Sequence, residues 1–67
     1  MKCRCIFPRE GEVRVYEGAP GDTYADALLA FGMVPDTVLI RAGGRFLPED
    51  AKIEEEEVVV ITTCSRG

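Results

Sequence analysis

The chain opens on strict alternation. In "KCRCIF", residues 2–7, Cys3, Cys5 and Phe7 fall on one face while Lys2, Arg4 and Ile6 fall on the other, which predicts a first strand. "PREGE" has turn composition, and "VRVY" predicts the second strand of a hairpin, with Val13 and Val15 inward and Arg14 outward. The Gly- and Pro-rich "EGAPGD" ends that hairpin.

The period then changes. Tyr24, Ala27, Leu28 and Phe31 stand at i, i+3, i+4 and i+7, one stripe of a short amphipathic helix with Asp26 and Ala30 turned outward. Thr23 and Asp26 have the spacing of a capping box, and Gly32 suits the position after the last turn, where left-handed backbone costs glycine nothing. Pro35 blocks any continuation. Alternation returns in "VLIRA", with Val38 and Ile40 on one face and Leu39 and Arg41 on the other. Gly43 and Gly44 then suit a tight hairpin turn into the short strand "RFL". "EDAKIEEEE" reads as an irregular crossing anchored by Ile53. "VVVITT" is the last strand, Val58 and Val60 inward, Val59 and Ile61 outward. Being apolar on both faces, it belongs in the interior of the sheet, parallel to the first strand. This order predicts an α+β fold, a β-grasp: a mixed four- to five-stranded sheet packed on one main helix. The domain is expected over 1–61, with 62–67 as a flexible C-terminal tail.

Composition narrows what such a domain does. At 67 residues it holds one domain with a small core, and 46% hydrophobic with 30% charged residues is too apolar for disorder. A net charge of −4 and no histidine argue against a nucleic-acid partner and for a cationic partner surface. "VVVI" and "VLI" are far shorter than a membrane span, and "MKCRCIF" lacks a hydrophobic signal core, so no membrane partner, a cytoplasmic location and a monomer are expected.

No catalytic constellation can be assembled: there is no histidine, no GxSxG, no phosphate loop and no pair of CxxC motifs, so the chain is not expected to be an enzyme. Cys3 and Cys5 read more strongly as buried thiols than as a soft-metal pair, so no metal, no bound cofactor and no structural disulfide are expected. "EEEE", residues 54–57, suits a solvated crossing better than an acidic docking surface. Leu39, Arg41, Val59 and Ile61, outward on neighbouring strands, would make an exposed apolar patch for a protein partner, unless the crossing or a second copy covers it. In the closing "TTCSRG", Gly67 lacks a Cβ, so its carboxylate could pass down a narrow channel to be activated.

"DTYADAL", "VPDTVLIRAGGRFLPED" and the closing "VVVITTCSRG" together resemble the ubiquitin-like sulfur-carrier and modifier family, ThiS/MoaD-like, and most closely the small archaeal modifier proteins. The resemblance implies that Gly67 is adenylated with ATP by a separate ubiquitin-activating-type enzyme. The activated carboxylate then becomes a thiocarboxylate for sulfur-accepting enzymes, or an isopeptide bond to a lysine of a target protein. In that frame Ser65 is the small residue before the final two, and Leu39, Arg41, Val59 and Ile61 form the docking face. Lys2 and Lys52 are the two lysines that could accept a further copy. Arg66 replaces the first of the family's terminal glycine pair, and Cys64 sets a thiol near the reactive end. The alternative is a non-covalent β-grasp binding module whose tail chemistry is impaired by Arg66.

Overall fold

The computed structural model describes residues 1–63; Cys64, Ser65, Arg66 and Gly67 lie outside the described residues. Five strands and one α-helix follow in order: β1 (Lys2–Phe7), β2 (Glu12–Glu17), α1 (Tyr24–Ala30), a 3₁₀ turn (Pro35–Thr37), β3 (Val38–Ala42), β4 (Arg45–Leu47) and β5 (Glu57–Thr62). They form one sheet in the order β2-β1-β5-β3-β4, with β5 parallel to β1 and antiparallel to β3. A mixed sheet holding a single helix against one face, with the last strand at its centre, is the ubiquitin-like β-grasp. No helix among the described residues is long and apolar enough to cross a membrane.

Local signals set both ends of the helix. Thr23 Oγ1 accepts from the Asp26 amide at 3.2 Å and Asp26 Oδ2 accepts from the Thr23 amide at 2.9 Å, a reciprocal capping box. At the other end the Met33 amide donates to Leu28 O and the Gly32 amide to Leu29 O, a Schellman closure that Gly32 permits with φ of 79°. The β3–β4 hairpin turns on Gly43 and Gly44, whose φ values of 59° and 84° suit a type I′ turn.

The core lies between helix and sheet. Tyr24, Ala27 and Leu28 bury one side of the helix against Cys3, Cys5 and Phe7 of β1, Val58 and Val60 of β5, and Val38, Ile40 and Ala42 of β3. Phe31, the helix C-cap, is half-buried and meets Phe7 edge to face at 5.9 Å. Ile53, from the crossing, is buried in the same core, and Tyr24 Oη accepts from the Glu54 and Glu55 amides, both at 3.4 Å. The glutamate run is mostly solvated, with Glu55 paired to Arg45 and Glu57 to Arg4.

Strand β2 departs from the sequence reading. Its alternation is real but reversed: Val13 and Val15 are exposed, and Arg14 with Tyr16 lies on the helix side. The register decides this, because Tyr16 stands opposite Cys3 and Arg14 opposite Cys5, and directly opposed residues share a face. A helix this short leaves the edge strand only partly covered. A side chain with an apolar body and a polar tip suits that place better than valine. Tyr16 packs edge-on to Phe31 and donates to Asp22 Oδ2 at 2.6 Å, while the Arg14 guanidinium lies 5.9 and 5.7 Å from the Phe7 and Phe31 ring centres. That hydrogen bond holds the Asp22 carboxyl below its usual range and pushes Tyr16 up to about 12.

At the C-terminal end, backbone hydrogen bonding continues through Thr62 to Thr63. Thr62 pairs with Val38, and the Thr63 amide donates to Thr37 O at 2.8 Å.

Candidate functional site

Pairing assembles the outward face of the sheet. Arg41 stands opposite Val59 and Leu39 opposite Ile61, so the four residues singled out from sequence form one block across β3 and β5. Leu39 and Arg41 are exposed, and Val59 and Ile61 half-buried. Neither the crossing nor the helix covers them, since both lie on or beside the opposite face.

The same ladders extend the block across the whole sheet. Val13 of β2 pairs with Ile6 of β1, Ile6 with Val59 of β5, Val59 with Arg41 of β3, and Arg41 with Phe46 of β4. This row of five is apolar except at Arg41, and the apolar residues at its ends are exposed, Val13 at 56% and Phe46 at 60%. Sequence reasoning left out Ile6, Val13 and Phe46. The signal for Ile6 was present, because it alternates against Cys5 and Phe7; Val13 needed the reversed phase of β2, and Phe46 needed the register of the β3–β4 hairpin.

The charges on this face are unequally matched. Arg4 pairs with Glu57 at 3.2 Å and Lys2 with Glu17 at 4.0 Å. Arg41 has no carboxylate within 4 Å among the described residues. Its apolar surroundings would strengthen attraction to a carboxylate brought by a partner, because covering the row removes water and lowers the local dielectric.

Of the reactive side chains, Cys3 and Cys5 are fully internal and turned to the helix, away from this face. Burial raises both thiols, Cys5 to about 12 with Cys3 adding to the effect. The thiolate is the nucleophile, so both are expected to resist iodoacetamide at pH 8 in the folded protein and to react once denaturant is added. Fast labelling of Cys3 or Cys5 without denaturant, located by peptide mapping so that Cys64 is counted apart, would contradict this. A raised thiol pKa also favours folding below the unfolded thiol's pKa, and that contribution disappears as pH rises through the folded value. Lys2 and Lys52 are both exposed, and Lys52 lies in the crossing where its backbone bridges Thr23.

β5 leads from the outward row towards the end of the chain. The Thr62 carbonyl accepts from Arg9 Nη1 at 3.1 Å, and Thr37 O accepts from both the Thr63 amide at 2.8 Å and its hydroxyl at 3.0 Å. Of the expected tail, 62–67, Thr62 and Thr63 make these contacts, and Cys64 to Gly67 lie outside the described residues. The arrangement offers an apolar row with Arg41 next to its central residue, Val59, joined by the central strand to the terminal segment.

Comparison with known families gives one finding. A family model described as small archaeal modifier protein 2 matches residues 3–62, which takes in the helix and all five described strands except Lys2 at the start of β1, and stops short of the last five residues. No curated protein matches the chain.

Proposed function

The chain belongs to the small archaeal modifier protein 2 family, of ubiquitin-like modifiers and sulfur carriers, and we propose that its reactive group is the carboxylate of Gly67. An adenylating enzyme of the ubiquitin-activating type docks on the outward face and takes the terminal segment into its nucleotide site. A Gly67 carboxylate oxygen attacks the α-phosphorus of ATP, and pyrophosphate leaves. The resulting acyl adenylate has two fates, set by the nucleophile. A target lysine amine attacks the acyl carbon, AMP leaves, the nitrogen loses a proton and an isopeptide bond forms. Alternatively a sulfide-level donor displaces AMP and leaves a thiocarboxylate for a sulfur-accepting enzyme. ATP is used by the partner; the small protein supplies a substrate, and catalysis belongs to that partner.

What supports this reading is the continuity between face and terminus. The outward row has its centre on β5, so a partner covering Val59 and Arg41 is already aligned with the strand that carries the reactive group. Arg41 fits a partner that brings a carboxylate to the row between Val59 and Phe46.

A tagged copy expressed in its native host tests the proposal. Larger covalent species, resistant to denaturant, should appear and should vanish when Gly67 is deleted; mass spectrometry should find the tail joined to target lysines, or to Lys2 or Lys52 of a further copy. Conjugates that persist without Gly67 would contradict it. Partner capture that survives deletion of Gly67, with no adduct, would favour the non-covalent module.

A further inference from the structure

The root of the terminal segment is held from both sides, and by turns that are themselves stiff. On one side stands the β1–β2 turn, "PREG", led by Pro8 and closed by the Glu10 amide donating to Phe7 O at 3.2 Å. From it Arg9 Nη1 donates to the Thr62 carbonyl at 3.1 Å, and Glu10 Oε2 accepts from Thr62 Oγ1 at 3.4 Å. On the other side stands the 3₁₀ turn Pro35–Thr37, in which Val34 O accepts from the Thr37 amide at 3.0 Å and its hydroxyl at 2.7 Å. From it the Thr37 carbonyl accepts from the Thr63 amide and hydroxyl. Proline fixes φ in each turn, so neither side yields easily.

Resting on the proposed activation of Gly67, we infer that these two turns form a clamp that aims the terminal segment, with Arg9 and Thr63 as positioning residues for adenylation. The last hold among the described residues is at Thr63, four residues before Gly67. Four extended residues span at most about 14 Å. The nucleotide site of the partner must therefore come within that distance of Thr63, close to both the β1–β2 turn and the 3₁₀ turn, whatever the breadth of the sheet contact. This deepens the docking picture, since the outward row alone would leave the direction of the terminus open. Holding Thr62 and Thr63 before the partner arrives also removes conformational freedom that threading would otherwise have to suppress.

Hydrogen exchange and activation kinetics test the clamp together. In the free protein the Thr63 amide is expected to exchange at least about tenfold more slowly than in an unstructured peptide. In pyrophosphate exchange driven by an adenylating enzyme of the ubiquitin-activating type, the double variant Arg9→Ala, Thr63→Val should raise KM by about three- to tenfold with kcat at saturation unchanged. Arg9→Lys keeps a donor and should restore most of the affinity lost in Arg9→Ala. Deleting Ser65 shortens the reach by about 3.4 Å and should lower kcat more than it raises KM. Exchange at Thr63 at the unstructured rate would overturn the clamp, with or without the enzyme. A protected Thr63 with KM unchanged in the double variant would overturn its positioning role. Failure of the unaltered protein to be activated at all would overturn the Gly67 reading, and the positioning role with it, while exchange still judged the clamp itself.

Discussion

Exchanging Arg41 for glutamate is expected to raise the KM for activation at least about tenfold while leaving the melting temperature close to that of the unaltered protein. Arg41 is exposed and in no ion pair among the described residues, so the fold loses little without it. Its position is what gives the change its effect. Val59 and Phe46 flank it on neighbouring strands, so a partner that covers the row must desolvate whatever occupies position 41. A reversed charge placed against a partner carboxylate then costs at least about 1.4 kcal/mol, a tenfold loss, and several times that where water is fully excluded. Pyrophosphate exchange as a function of protein concentration measures the KM, and thermal circular dichroism measures the fold. A KM within twofold of the unaltered value would remove the outward row from the docking account.

Leu28→Ala is expected to act in the opposite way, on the fold before any partner. Leu28 is 1% exposed and sits where the helix meets the centre of the sheet, beside a small void lined by Cys5, Ile40, Val58 and Val60. Truncation enlarges that void, and removing a buried leucine costs about 2–5 kcal/mol. A single hydrophobic core in a domain of this size supplies roughly 3–5 kcal/mol in all. Much of the population should therefore unfold near ambient temperature, with a fall in melting temperature of about 10 °C or more where a transition is still measurable. Urea unfolding of the two proteins gives the difference directly, and a loss under about 1 kcal/mol would mean that the core is less tightly filled than the burial of Leu28 implies.

The two substitutions separate what the sequence makes legible from what it does not. Leu28 could be placed in the core from spacing alone, because a helical stripe at i, i+3, i+4 and i+7 has one buried side. The same holds for Cys3, Cys5, Val58 and Val60. It holds too for the central position of β5, whose apolar residues on both faces need cover on both sides. Leu39, Arg41, Val59 and Ile61 were recognisable as outward residues by simple alternation. Their extension into a row across five strands was not, because that depends on register between strands distant in sequence. The reversed phase of β2 shows the limit most plainly. Alternation gives two faces but does not say which one meets the helix, and hydrophobicity alone chose the valines. What decided was the amphipathic reach of Tyr16 and Arg14 around the rim of a short helix. The clamp at Thr62 and Thr63 was likewise invisible, since it is made of a backbone carbonyl, a turn arginine and a hydroxyl whose partners lie 53 and 26 residues away.

The measurement that tests the central claim most directly is intact mass after reaction. The protein, incubated with its adenylating enzyme, ATP and a sulfide-level donor, should gain the mass difference of one oxygen exchanged for sulfur, and fragmentation should assign that change to Gly67. Replacing Arg66 by glycine in the same reaction should give at least as much product, since it only narrows the segment that enters the site. An unchanged mass under all these conditions, with no adenylate trapped when the donor is left out, would contradict activation at Gly67.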